Sequence, residues 1–208
     1  MANKDKKSNN GEFLPVLEHF NTLQGEGEFA GHAAYFIRLA GCDVGCKWCD
    51  TKHSWKTTDN LMNVNELTEI IAQSKSDIVV VTGGEPTMHN LTVLADSIFD
   101  LDKQASLETS GVYDVTGEWD WICLSPKKHK PPLLQNLKRA DELKVVIENK
   151  EDINWAEEMA QKVSQDCVLS LQPEFSVSKE IIPYLIEFVK ENPKWKLSLQ
   201  LHKILDIP

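Results

Sequence analysis

The 208-residue chain has no run of about 18 apolar residues, so no segment of it reads as a membrane span. Met1 to Gly11 holds no apolar stretch of the kind a signal peptide needs. Residues 1–12 are expected to be a disordered tail. Basic side chains are scarce: 22 Lys and Arg stand against 32 Asp and Glu, a formal net charge of −10. A chain of that sign repels phosphate backbones, which argues against direct contact with nucleic acid. One concentration of positive charge, Lys127-Lys128-His129-Lys130, reads as a solvated loop. Cysteine is sparse too: only five are present, three of them clustered, which is no disulfide framework for a chain of this size. That usage suits the reducing cytoplasm. Repeats, low-complexity tracts and long linkers are missing as well. With 41% hydrophobic and 26% charged residues, the expectation is one globular domain over residues 13–208.

Strand-like and helix-like patterns alternate along the chain. Residues 15–21, 33–40, 77–82, 104–109, 119–124, 142–148, 167–172 and 195–201 read as strands. Asp77-Ile78-Val79-Val80-Val81-Thr82 has the continuous β-branched character of a buried parallel strand. Residues 65–74, 90–99, 151–163 and 178–191 read as helices; in the first, Leu67, Ile70 and Ile71 share one face. Repeated strand–helix units predict an α/β fold with a parallel sheet, open or curled into a barrel. Functional residues in such folds gather where strands end. Five short motifs fall there: the cysteine loop, Thr82-Gly83-Gly84-Glu85-Pro86, Glu108-Thr109-Ser110-Gly111, Ser125-Pro126-Lys127 and Gln172-Pro173.

The cysteine loop, Cys42-Asp43-Val44-Gly45-Cys46-Lys47-Trp48-Cys49, has the spacing C-x3-C-x2-C. Buried free thiols are a poor fit, because Gly41, Asp43, Gly45, Lys47 and Asp50 make the segment too polar for a core strand. Two metal readings remain. A structural zinc site would take Cys46 and Cys49 as one knuckle, with Cys42 or His53 added, but no second paired knuckle exists. A four-iron cluster normally takes four thiolates, so three would leave one iron open to a small molecule. Cys123 and Cys167 stand alone in apolar runs.

The other motifs each admit two readings. Gly83-Gly84 is either an ordinary βα turn or a place where the missing Cβ atoms let a ligand come close. Arg38, inside an apolar strand, is either a rim residue whose stem packs or a fork for a substrate carboxylate. Lys127 is either solvated or placed to offset an anion. Asp50-Thr51 is either a helix cap or part of an oxygen shell for a hard cation such as magnesium. A chain end at Pro208 either frays or docks, and docking would fix its carboxylate.

Taken together, the cysteine loop and Gly83-Gly84-Glu85-Pro86 resemble the radical S-adenosylmethionine (SAM) superfamily. Residues 22–27, 36–42, 48–51, 82–86, 108–109, 125–127 and 199–203 narrow the resemblance to its 7-carboxy-7-deazaguanine synthase family. The resemblance implies an abbreviated, partial (β/α) barrel. Cys42, Cys46 and Cys49 would hold a 4Fe-4S cluster whose open iron is chelated by SAM. SAM would touch Trp48, Cys49, Asp50, Gly84, Ser125, Pro126, Lys127 and the Gln172-Pro173-Glu174-Phe175 loop. The substrate would be 6-carboxytetrahydropterin, held by Leu23, Gln24, Gly25, Arg38, Thr82 and the terminal carboxylate of Pro208, with Mg2+ near Thr51. Reductive cleavage of SAM, with flavodoxin or ferredoxin as electron donor, would start hydrogen abstraction at C6, ring contraction and ammonia loss, a step of queuosine biosynthesis. The family also implies a homodimer. Lys196 stands where the pattern has arginine, and Pro173-Glu174-Phe175 departs from it. A glycyl-radical activase would share the cysteine loop but leave residues 199–208 without a task. A zinc-stabilised binding module would share only the ligand spacing.

Overall fold

The computed structural model describes residues 10–208. A short ribbon pairs β1 (Phe13–Leu14) with β4 (Met62–Asn63). The main sheet contains β2 (Val16–Leu23), β3 (Ala33–Leu39), β5 (Ile78–Gly83), β6 (Gln104–Thr109), β7 (Trp121–Leu124), β8 (Glu142–Ile147), β9 (Val168–Pro173) and β10 (Trp195–Leu197). Its strand order is β10-β9-β8-β7-β6-β5-β3-β2, with β2 and β10 as unjoined edges. All pairings are parallel except β2 with β3. This open run of parallel strands with helical crossovers is the expected partial barrel. The helices are α1 (Val64–Ala72), α2 (Thr92–Phe99), α3 (Leu134–Arg139), α4 (Asp152–Ala160), α5 (Ser178–Glu191) and α6 (Leu201–Leu205).

Alternation along the strands sorts the two sheet faces. On the helix-covered face, Ile37, Leu39, Val79, Val81, Ala105 and Leu107 pack with Leu67 and Ile71 of α1 and Leu94 and Ile98 of α2. A second apolar cluster joins Leu143, Val145, Ile147 and Leu171 to Leu137 of α3, Ile153 and Met159 of α4, and Ile181 and Leu185 of α5. In α1, Val64, Leu67 and Ile71 recur at helical spacing, and Asn63 caps the helix by accepting from the Asn65 N–H.

The opposite face is apolar only at the N-terminal end of the strands. There Phe29, from the β2–β3 connection, packs on Ala34, Ile78 and Val80 and lies edge-on to Trp121 at 4.9 Å between ring centres. Elsewhere the same face carries Arg38, Thr82, Glu108, Cys123, Glu142, Lys144, Ser170 and Gln172. The barrel interior is thus plugged below and polar above.

Four details differ from the sequence reading. The strand expected over residues 195–201 ends at Leu197, and α6 follows. The chain leaves the sheet because the Gln24–Glu28 segment captures it: Gly27 N–H donates to Ser198 Oγ at 3.0 Å, and Leu201 N–H donates to the Gly25 carbonyl at 2.8 Å. Strand β2 forms an antiparallel hairpin with β3 instead of adding to the parallel set. Helix α3 was not foreseen; it is only six residues long, too short for a clear period. Within the segment expected to be a tail, residues 1–9 lie outside the described residues, but Gly11 is buried and the Glu12 carbonyl accepts from Val64 N–H at 2.9 Å.

Leu107 has no exposed surface in the outer core, whereas Ser106 faces the interior. Leu107→Ala is expected to cost about 2–5 kcal/mol in guanidinium denaturation, and Ser106→Ala clearly less.

Candidate active site

The cysteine loop starts where β3 ends, and contacts from several sides hold it there. Gly84 N–H donates to the Leu39 carbonyl at 2.9 Å, and Glu85 N–H to the Gly41 carbonyl at 2.8 Å. A Cβ at Gly83 would sit 2.2 Å from the Leu39 oxygen, and one at Gly84 2.3 Å from the Gly41 oxygen. The two glycines are therefore needed because the backbone leading into the cysteine loop lies against them. The remaining face of Gly84 lines the cleft described below. From the other side, His129 Nε2 donates to the Val44 carbonyl at 2.8 Å, and Lys130 and Tyr113 both hold Asp43, Lys130 at 2.6 Å. Lys130 is thus an anchor of the loop, not a purely solvated charge. Glu85 is buried behind it, accepting from Ser110 N–H and from the hydroxyls of Thr87, Thr109 and Ser110.

Cys42, Cys46 and Cys49 are half-buried and line one wall of a single cleft. Burial pushes the Cys42 and Cys46 thiols up, and the neighbouring cysteines add to this; Lys127 opposes it at Cys46. Such thiols ionise on binding a soft metal, which supplies the compensating charge. Among the described residues, no three His, Cys, Asp or Glu side chains converge as a cage for one metal ion. A closed zinc site would need thiolates that all lie about 2.3 Å from one metal. A four-iron cluster suits three cysteines on one wall, because each binds a different iron. Trp55 Nε1 donates to Cys49 Sγ at 3.3 Å, the kind of N–H···S contact that tunes such a cluster. Cys123 and Cys167 take no part in the loop: both are buried, and burial pushes Cys167 up to about 12.

Of the residues expected to meet SAM, Trp48, Cys49, Asp50, Gly84, Ser125, Lys127, Gln172, Pro173, Glu174 and Phe175 line the cleft that holds the cysteines. Pro126 does not; it is buried behind the Ser125-Lys127 turn. Lys127 Nζ is drawn back to the Ser125 carbonyl at 2.9 Å and the Ser125 hydroxyl at 2.6 Å. A second cleft is lined by Leu23, Gln24, Gly25, Arg38, Thr51, Thr82 and Pro208, all the residues expected at the substrate and the magnesium ion. Arg38 bonds Glu18 through Nε at 2.6 Å. Its two terminal nitrogens make no hydrogen bond among the described residues.

The two clefts share a wall made by Glu26, Asp50, Thr82, Glu108 and Lys203. Beneath it lies a charged cluster that the sequence reading passed over. Lys144, buried on β8, donates to Glu26 at 2.7 Å and to Glu108 at 2.9 Å. Burial raises Glu26, but the Lys144 charge with bonds from Lys144 and Gln200 outweighs it and brings the carboxyl to about 2. Helix α6 closes the other side: Lys203 lies 3.0 Å from Asp50, and Gln200 donates to Glu26 at 2.9 Å. Lys203 also sits 4.8 Å above the Phe175 ring, which ties α6 to the loop after β9. A signal for the cluster was present in the sequence: Glu142 and Lys144 are charged residues at alternate positions of an otherwise apolar strand.

The Radical SAM superfamily profile matches residues 36–148, more than half of the chain. The 7-carboxy-7-deazaguanine synthase of Flavobacterium psychrophilum is 48% identical over 95% of this chain and 94% of its own length. That of Synechocystis is 44% identical, covering 93% of each. The crystal structure of QueE from Escherichia coli superposes with a TM-score of 0.85 at 33% identity, over 94% of this chain and 100% of that one. The chain belongs to the 7-carboxy-7-deazaguanine synthase family of the radical SAM superfamily. The radical SAM family implies a 4Fe-4S cluster and SAM, and the three cysteines and the cleft they line fit both.

Two outcomes test this geometry. Gly84→Ala pushes a methyl group into the Gly41 carbonyl and to 2.8 Å from Cys42 Cβ, so the folded variant should take up sub-stoichiometric iron on anaerobic reconstitution. Trp55→Phe removes the N–H···S bond that favours the more negative, reduced cluster. Its midpoint potential, followed by electron paramagnetic resonance, should move to more negative values with iron content unchanged.

Proposed function

We propose that the chain is a radical SAM lyase that converts 6-carboxytetrahydropterin into 7-carboxy-7-deazaguanine with loss of ammonia. The carrying observation is the shared wall: a cysteine-lined cleft and a carboxylate-ready cleft meet at Glu26, Asp50, Thr82, Glu108 and Lys203. When bound, the cluster and SAM supply the radical that removes a hydrogen atom from the substrate. The chain's own residues bind, orient and exclude water.

In the first cleft, Ser125, Lys127 and the Gln172–Phe175 loop would hold SAM, together with the cysteine loop. In the second, Leu23, Gln24 and Gly25 lie along one side, and the free end of the Arg38 fork suits the pterin carboxylate. Pro208 lines the same cleft, and Thr22 Oγ1 donates to its backbone oxygen at 3.4 Å. A carboxylate at that position would accept the paired N–H donors of an aminopyrimidinone edge. The Thr51 hydroxyl, which lines this cleft, would be the oxygen offered to Mg2+, a hard cation that prefers oxygen ligands.

Further expectations follow from the family. Flavodoxin or ferredoxin donates the electron. A second copy of the chain, forming a homodimer, would cover the exposed Ile204 and Leu205 of α6. No helix among the described residues is long and apolar enough to cross a membrane. Together with the unpaired cysteines, this supports a cytoplasmic location.

Anaerobic turnover with reconstituted cluster, SAM, dithionite and the carboxypterin tests the reading: the deazaguanine and ammonia should form together. Deoxyadenosine release that does not respond to the pterin would refute it. Extending the chain beyond Pro208 is expected to raise the KM for the pterin while SAM binding persists, and unchanged kinetics would remove Pro208 from the substrate site.

A further inference from the structure

We infer that Lys203 is a positioning residue that couples the two clefts, so that SAM tightens the binding of the pterin and the pterin that of SAM. The inference rests on the lyase reading of the site.

The chain from Gln200 to Pro208 docks chiefly on the turn that lines the pterin cleft. Leu201 N–H donates to the Gly25 carbonyl at 2.8 Å, and Gln200 Nε2 donates to Glu26 at 2.9 Å. Thr22 Oγ1 donates to the Pro208 oxygen at 3.4 Å. His202 packs so closely on Gly25 that a Cβ there would lie 2.5 Å from its Nδ1. Within the chain α6 buries no residue, so polar contacts and not a core decide whether this tail is docked. Of its apolar residues, Ile204 and Leu205 are more than half exposed and line neither cleft. A segment held in this way opens locally at low cost.

Lys203 makes the connection from the tail to the other cleft. Among the described residues it is the only member of α6 that lines both clefts. Its Nζ lies 3.0 Å from Asp50, the residue that follows Cys49, and 4.8 Å from the centre of the Phe175 ring, in the loop after β9. It also donates to Gln200 Oε1 at 3.1 Å, the side chain whose amide holds Glu26. The other approaches of the tail to Asp50 are longer, 3.5 Å from Gln200 and 3.9 Å from His202. One cation thus joins the end of the cysteine loop, the loop after β9 and the tail.

A ligand shifts a two-state element only by the difference in its affinity for the two states. For SAM that difference lies at Asp50 and Phe175, the two anchors of Lys203 that line its cleft. Phe175 is 48% exposed, so a ligand beside it orders a ring that the chain leaves half uncovered. Fixing both anchors favours the docked tail. For the pterin the difference lies at Gly25 and Pro208, which the docked tail brings to the same cleft. The two effects are equal by linkage. SAM is then held most firmly when a substrate able to give up hydrogen lies beside it, which limits side reactions of the radical.

Isothermal titration of the reconstituted holoenzyme measures the coupling, under anaerobic conditions and without reductant, so that no turnover occurs. Carboxypterin with Mg2+ is titrated at one protein concentration, with and without saturating SAM. In the wild type, SAM should lower the pterin Kd about 10-fold. In Lys203→Met the ratio of the two Kd values should fall to about 1. Lys203→Arg keeps the charge and the ring contact and should restore most of the ratio. Amide hydrogen exchange over residues 199–208 should slow with SAM in the wild type but not in Lys203→Met. A wild-type ratio of about 1 overturns the inference, and so does a Lys203→Met variant that binds the pterin more weakly by the same factor with and without SAM. A wild type that binds no carboxypterin in either condition overturns the lyase reading, and the inference falls with it.

Discussion

The contact of Gly83 and Gly84 with the backbone from Leu39 to Gly41 sets the position of everything above the sheet. Two parallel strands end side by side, and the chain after one lies within 2.9 Å, donor to acceptor, of the chain after the other. No side chain larger than hydrogen fits at either glycine without moving the loop. The cysteines are thereby held at the edge of the barrel, facing the polar interior. The anchors Lys130, Tyr113 and His129 close the loop from outside.

The second organising feature is the division of the sheet into two chemistries. Apolar residues on the outer face bury against five helices and supply the stability. Inward residues are largely polar, and they form one connected network from Gln24 through Glu108 and Lys144 to Glu26 and Gln200. Burying so many charges is costly unless each has a partner, and here each has one. Phe29 packs against the far end of the same face, and the polar end meets the cysteine loop and α6.

Much of this was legible in residue order. Continuous β-branched runs and helical spacings identified the parallel core, and turn motifs at strand ends identified the rim. The cysteine spacing identified the metal, once the Gly-Gly motif stood beside it. Three things were hidden, each for a physical reason. The reversal of β2 depends on a hairpin whose long connection carries no short turn signature. The break after Leu197 comes from distant captures by Gly25 and Gly27, which local propensity cannot register. The pairing of Lys144 with Glu26 and Glu108 spans three separate parts of the chain, so its members appeared only as isolated charges among apolar residues.

The central claim is that the cysteine-lined cleft and the cleft proposed for the pterin adjoin at Glu26, Asp50, Thr82, Glu108 and Lys203, so that hydrogen passes directly from substrate to the SAM-derived radical. Turnover of carboxypterin carrying deuterium at C6 tests it most directly, with the label traced by mass spectrometry of the SAM-derived nucleoside. Deuterium in the 5′-deoxyadenosine is the predicted result. Deoxyadenosine formed without label, while the pterin is consumed, would contradict the account.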